Sequence, residues 1–415
     1  MKSLTRFFGL SLCATLLTFL ACGQQKDVGS NDDRIIRPPT DKELALAQSS
    51  NQFGFKLLDE VVSLSEGGNV FVSPLSVSMA LGMTYNGAKG TTAEGMATAL
   101  EYGDLTLEEV NHAYRDLINL LTTLDPKVTM EIANSIWYRE GFNVLDAFIE
   151  VNQLYFDAVV SALDFASPEA AATINAWVDA QTHGKIDSIV EPPISAATVM
   201  FLINAVYFKG TWTYEFDEEH TRDDTFHVSG SEQKTVKMMS IEGDFAYLET
   251  EDFEAVDLPY GEGLFSMTVF LPKAGTDIDQ LIADLNQETF DAWTASLSID
   301  QGQLSLPRFE LEYEAGLNDV LAALGMGQAF SPSADFSGIN GGGGLFISNV
   351  KHKTYVKVNE EGTEAAAVTS VEVGITSAGP EGFVMRVNRP FVFVIHDHHS
   401  GALLFMGKIV DPPST

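Results

Sequence analysis

The chain has 415 residues, with 58 Asp and Glu against 24 Lys and Arg, a formal charge of −34. That balance argues against a nucleic-acid surface or a heparin-binding patch and favours partners that are not themselves strongly acidic. With 45% hydrophobic residues and two cysteines, Cys13 and Cys22, the fold must rest on a large apolar core rather than on disulfide staples.

The first 21 residues carry basic Lys2 and Arg6, an apolar run from Phe7 to Leu20, and Ala21 ahead of Cys22. A charged start, an apolar middle too short to span a membrane and a small residue at the cut make a secretory signal. Ala21-Cys22 is similar to the bacterial lipoprotein cleavage box, with Phe19 in place of the usual leucine. The expectation is a signal over 1–21, lipid attachment at Cys22, and an exported protein at the cell envelope or in the extracellular space. Loss of Cys13 would leave no cysteine pair for an intramolecular bridge. Residues 22–40 are polar and proline-bearing and read as a tether. No composition shift divides 41–415, which reads as one domain.

Phe53, Leu57, Val61 and Leu64 recur at helical spacing. "NVFVSPLSVSMAL" runs a short strand into a helix, with Ser73 as cap and Pro74 as first helical residue. Thr106 and Glu109 form a capping-box pair ahead of an amphipathic helix. Val128 to Tyr138 alternate as a strand, and Ser167-Pro168 opens a helix carrying Asn175 and Trp177. Thr198 to Trp212 is almost continuously apolar, as suits a strand covered on both faces. Asn204 interrupts it; a buried amide without partners costs roughly 1–3 kcal/mol, so it predicts an internal polar cluster.

Thr235 to Pro272 reads as successive strands, "TVKMM", "FAYLE", "AVDLPY" and "LFSMTVFLP". Helices follow near Ile278–Leu285 and Glu288–Ala295, then a strand over Gln303–Glu312 and a helix near Ala315–Leu324. "PFVFVIHDHH" and "GALLFMGKIV" close the chain as a hairpin. Strands in runs and helices in runs, without βαβ regularity, make the class α+β. Between them, "EEGTEAAAVTSVEVGIT" (360–376) puts small or β-branched residues at Thr363, Ala365, Ala367, Thr369, Val371 and Val373. Strict alternation marks a strand with one buried face, yet no bulky side chain anchors it and it follows directly on the strand-like Val350–Val358.

Catalytic motifs are absent from the sequence: no G-x-S-x-G elbow, H-E-x-x-H pair or P-loop occurs. The S-x-x-K strings Ser231–Lys234 and Ser348–Lys351 sit in a polar turn and at a strand start, and read as chance. His396, His398 and His399 read as a solvated hairpin turn rather than a metal site, so no metal and no cofactor is expected.

Read this far, the chain resembles the serpins from about Asn51 to Pro412. The segments that carry the resemblance are "NVFVSPLSVSMAL", "INAVYFKGTW", "VKHKTYVKVNEEGTEAAA" and "RPFVFVIHDHHSGALLFMGKIVDP". The resemblance implies three β-sheets, eight or nine helices and an exposed reactive-centre loop near the carboxyl end. It implies a monomeric inhibitor that is not an enzyme. A serine protease, or for some members a cysteine protease, cuts the loop and forms an acyl-enzyme. The cut loop then inserts as a new strand and carries the protease with it. The implied hinge is Glu360, Glu361, Gly362, Thr363, Glu364, Ala365, Ala366 and Ala367. The implied shutter beneath the sheet is Ser73, Ser76, Asn175, Asn204 and His352, and the breach at its top is Trp212 with Glu360.

Counting from Gly362 at family spacing puts the scissile bond at Thr376-Ser377; counting back from Pro390 points near Gly379. The small and aliphatic residues around both suit an elastase-like or subtilisin-like protease. A small-residue hinge, with no proline before Pro380, favours an inhibitor over the alternative, a non-inhibitory serpin-fold binding or chaperone protein. A serine hydrolase is the remaining alternative, and it would require ester turnover.

Overall fold

The computed structural model describes residues 36–65, 67–229, 232–363 and 382–413. Its first helix, α1 (Asp41–Leu64), begins earlier than the apolar spacing alone suggests, because Thr40 and Glu43 cap it reciprocally. In α2 (Pro74–Tyr85) the Ser73 hydroxyl accepts from the Ser76 N–H, and apolar residues on every side bury the helix. Next come α3 (Gly90–Ala99) and α4 (Leu107–Leu121), the latter with the expected Thr106–Glu109 box. Then follow α5 (Asp146–Phe156), α6 (Glu169–Gln181), α7 (Ile278–Asp284) and α8 (Gln287–Ala295). The single turns α9 (Asn318–Leu321) and α10 (Ser337–Asn340) bring the described α-helices to ten. The helix expected near Ala315–Leu324 starts instead at Asn318, because the preceding strand runs on to Gly316, and it continues beyond Leu321 as a helical stretch over Ala322–Met326 with a kink at Gly325.

Six strands form one sheet: β2 (Val128–Arg139), β3 (Val159–Leu163), β4 (Met200–Thr211), β10 (Phe309–Gly316), β11 (Lys351–Val358) and β12 (Gly362–Thr363). Their order is β10-β11-β12-β4-β2-β3. The other nine are β1 (Val70–Val72), β5 (Arg222–Ser229), β6 (Glu232–Glu249), β7 (Phe253–Tyr260), β8 (Phe265–Pro272), β9 (Ser298–Pro307), β13 (Phe383–Arg386), β14 (Phe391–Asp397) and β15 (Leu403–Ile409). They join in one hydrogen-bonded path, β1-β15-β14-β8-β7-β6-β9-β13, with β5 on β6.

The α+β class holds, while the three expected sheets are two continuous ones among the described residues. "TVKMM" and "FAYLE" are a single 18-residue strand, β6. It pairs with β5 over its first half, with β9 through its middle and with β7 at its end, so it links what would otherwise be separate sheets.

Strands β8, β14 and β15 are buried at every residue and form the centre of the core with α1 and α2. The six-stranded sheet lies on that core with one face. Its other face is covered by α6, where Trp137 and Ile203 join Ile174 and Val178. Strand β4 is therefore covered on both sides, as its nearly continuous apolar run predicts.

Candidate functional site

Strands β4 and β11 each pair outward, with β2 and β10, and among the described residues they share no pair with each other. Among the described residues only the two of β12 stand between them. Gly362 and Thr363 pair with Thr211 and Gly210 of β4, and Thr363 pairs with Val358 of β11. Strands in a sheet lie ~4.8 Å apart, so β12 holds β4 and β11 at the distance that admits one strand. Cavities continue along the line below it. A small one is bounded by Val206, Phe208, Tyr355, Val356 and Thr363. A larger one, about 590 Å³, lies between α2 and the sheet and is lined by Ser76, Asn204 and His352.

The turn that delivers β12 is built by Asn359. Its Oδ1 accepts from the N–H groups of Glu361 and Gly362, and its own N–H donates to the Gly362 carbonyl. Gly362 is required by proximity: a Cβ there would sit 2.1 Å from the Gly210 carbonyl oxygen. Thr363 is 3% exposed and its hydroxyl meets the Tyr260 hydroxyl at 2.5 Å. Burial raises the Tyr260 phenol well above its usual range, so it stays a hydrogen-bonding neutral group.

Trp212 stacks on Tyr260 at 4.4 Å and donates its ring N–H to the Asn359 carbonyl at 2.9 Å. Glu360 is buried, accepting from the Thr221 hydroxyl at 2.6 Å with Arg308 Nε 3.4 Å away. Its carbonyl accepts from Phe216 N–H, and that of Glu361 from Trp212 N–H. Trp212 and Glu360 thus meet as the resemblance implies. Tyr260, Asn359, Thr221 and Arg308 complete the cluster without a sequence signal, apart from the N-x-x-G turn of Asn359.

Of the five residues expected beneath the sheet, four gather and one does not. The Ser73 N–H donates to His352 Nε2 at 3.0 Å, and its hydroxyl donates to the Leu404 carbonyl at 2.7 Å. The Ser76 N–H returns to the Ser73 hydroxyl. Burial pushes the His352 imidazole down to about 4, so it is a neutral acceptor at pH 7. Asn204 finds the polar partner its burial demands, Asn134, at 2.9 Å, although its own Oδ1 has no partner. Asn175 is elsewhere: its amide binds the Ile189 and Val190 backbone, fixing the loop after α6 on the sheet's other face.

The histidine turn also needs correction. His396 is not solvated but 5% exposed on β14, within 3.1 Å of the Ser266 hydroxyl and 2.9 Å of the Thr268 hydroxyl. Among the described residues no three His, Cys, Asp or Glu are grouped so that they could hold a metal ion. Lys351 is engaged by Glu191 and Glu314, and Ser348 lies in a loop, so that S-x-x-K string carries no nucleophile site. Ser231, Cys22, Glu364, Ala365, Ala366, Ala367, Thr376, Ser377 and Gly379 lie outside the described residues.

A family model described as Serpin (serine protease inhibitor) matches residues 48–412. The chain belongs to the serpin family. It is 35% identical to Iripin-8 of Ixodes ricinus, over 88% of this chain and 93% of the tick protein. It is 34% identical to the leukocyte elastase inhibitor of Homo sapiens, over 88% of this chain and 99% of the human protein. The native structure of the thermophilic serpin Tengpin superposes with a TM-score of 0.79 at 32% identity, covering 91% of this chain and 96% of that one. The family is one of protease inhibitors rather than enzymes, and its members target serine proteases. The organisms of the tick and human relatives give a bacterial, lipid-anchored origin no support.

Proposed function

We propose that this serpin is a suicide-substrate inhibitor of serine proteases with small or aliphatic specificity. The observation that carries the reading is the β4–β11 gap, already wedged at its top by Gly362 and Thr363. The registers at Thr363 extend downward by simple counting. A chain continuing from Thr363 would set Ala365 opposite Phe208 and Val356, Ala367 opposite Val206 and Thr354, and Thr369 opposite Asn204 and His352. In that register these small odd-numbered residues would share the core-facing side with buried Val358, Val356, Thr354 and His352. Strand β4 would accept residues as far as Val373, opposite Met200. Ladder bonds on both sides, on the order of a dozen or more at ~0.5–1.5 kcal/mol each, amount to roughly 10 kcal/mol.

In this reading the protease nucleophile attacks a loop carbonyl, the peptide bond breaks, and the amine half leaves while the acyl-enzyme forms. The acylated half then threads between β4 and β11 before water can complete hydrolysis. Counting from Gly362 at family spacing supports a cut at Thr376-Ser377, and counting back from Pro390 supports a bond near Gly379 as the other position. The human leukocyte elastase inhibitor among the relatives supports an elastase-class target. Incubation with elastase-like, subtilisin-like and trypsin-like proteases, followed by denaturing electrophoresis, tests this. Detergent-resistant complexes with the first two classes only are expected. Clean cleavage without such a complex would leave a serpin-fold binding protein instead.

Export and lipid attachment at Cys22 are part of the proposal, supported by Lys2, Arg6 and the apolar run ahead of Ala21. Fatty-acid labelling that Cys22→Ser abolishes is expected; labelling of neither form would remove the anchor.

A further inference from the structure

We propose that the outer face of the β6-β9-β13 ladder is a docking surface for the target protease, which selects an enzyme with a basic rim before the loop is cut. The proposal rests on the inhibitor reading above and adds the partner's surface chemistry to it. Strand β9 pairs with β6 on one side and with β13 on the other, and paired side chains share a face. Gln301 therefore stands beside Asp244, and Gln303 beside both Glu242 and Val384. Ile299, two residues before Gln301, lies on the same side. The opposite face buries Phe245, Tyr247 and Phe383, with the Tyr247 and Phe383 rings stacked at 3.9 Å.

The outward face carries both apolar surface and charge. Ile299 is 74% exposed and Val384 55% exposed, although the core buries most side chains of their kind. Glu242 and Asp244 are exposed, and among the described residues neither enters an ion pair. Gln303 Nε2 donates to Glu242 Oε1 at 3.3 Å, which leaves the carboxylate its full charge. Two uncompensated carboxylates beside exposed β-branched side chains suit a partner that places lysine or arginine around an apolar contact. The formal charge of −34 acts in the same direction, because it speeds encounter with a basic protein.

Position makes the protease the occupant. Strand β13 is the first described element after the reactive-centre loop, and it ends the sheet path. Gly382, just ahead of it, runs so close to β9 that a Cβ there would sit 1.7 Å from the Gln301 carbonyl oxygen. The carboxyl end of the loop thus joins the sheet at the face itself. Ser377 precedes Gly382 by five residues, at most ~17 Å of extended chain. A protease domain of about 220 residues is about 44 Å across, so an enzyme engaged on Thr376-Ser377 covers that distance. A bond near Gly379 shortens it.

Second-order rate constants of the full chain, measured at low and high salt with a basic elastase-class protease and an acidic subtilisin-like one, test the face. Glu242→Lys combined with Asp244→Lys should slow the basic enzyme about tenfold at low salt, with the deficit closing as salt screens the charges. The acidic enzyme should not be slowed, which shows the loop to be intact. Ile299→Ser should slow the basic enzyme several-fold at every salt concentration. Loop cleavage gives the same rate constants whether or not the protease is trapped. Failure of the inhibitor reading therefore appears as missing detergent-stable complex, and failure of the face as equal rates for variant and native protein. Equal rates with the basic enzyme, equal losses with both enzymes, or a chain that neither enzyme cuts would overturn the proposal.

Discussion

Replacing Thr363 by arginine tests the wedge. The native side chain is 3% exposed and bonded to Tyr260, on a strand that pairs Thr363 with Gly210 and Val358. A guanidinium there would be buried beside Tyr260, and the buried carboxylate of Glu360 already faces Arg308. Burying a charge without a partner costs several kcal/mol, more than a two-residue strand contributes, so β12 should withdraw and leave the rest of the fold standing. The native form then loses the Tyr260 hydrogen bond together with the few ladder bonds of Gly362 and Thr363, on the order of 2 kcal/mol in all. The described chain is large, so that lowers its melting temperature by only ~2 °C. Insertion fares worse, because the new arginine side chain would have to enter the gap first. A barrier raised by about 3 kcal/mol slows threading ~100-fold, since each 1.4 kcal/mol is tenfold, and hydrolysis of the acyl-enzyme then wins. Titration of an elastase-class protease should show the inhibitor consumed as substrate, with detergent-stable complex reduced to a trace. Thr363→Ser should trap normally. Undiminished complex from the arginine variant would refute the reasoning.

Gly362→Ala should reproduce the defect sterically, because its Cβ meets the Gly210 carbonyl at 2.1 Å; normal trapping by this variant would show that β12 need not seat as described. Denaturant titration from pH 7 to pH 4 should show the native protein losing about 3 kcal/mol more than His352→Gln. The folded imidazole titrates at about 4 against 6.5 when free, so only the unfolded chain takes up the proton over that interval and stability falls with pH; equal losses would remove His352 as the cause. Mass spectrometry of loop-cleaved protein should find new termini at Thr376 and Ser377. A cut only near Gly379 would shift the register of specificity, and a cut outside both would discard the small-pocket assignment.

Much of this was legible where one residue type has one reason to be present. Ser73-Pro74 and Thr106–Glu109 announce helix starts because their caps are local. The apolar run through β4 announces burial on both faces, and Asn204 inside it predicts a partner, found in Asn134. Asn175 is assigned beneath the sheet by resemblance alone, and its amide instead satisfies a loop on the opposite face, which no local pattern reveals. His396 misleads for the same reason. Its hydroxyl partners are more than 120 residues away in sequence, so a buried strand position reads like a polar turn. The continuity of β6 is hidden because Ser240 to Asp244 look like a turn but pair with β9.

The central claim is that the loop completes the sheet between β4 and β11, and the melting temperature of loop-cleaved protein tests it most directly. A gain of roughly 10 kcal/mol in a chain of this size corresponds to a rise of ~10 °C or more. The account predicts that rise for the native sequence and its absence for Thr363→Arg. A cleaved native protein that melts at or below the intact one would contradict it.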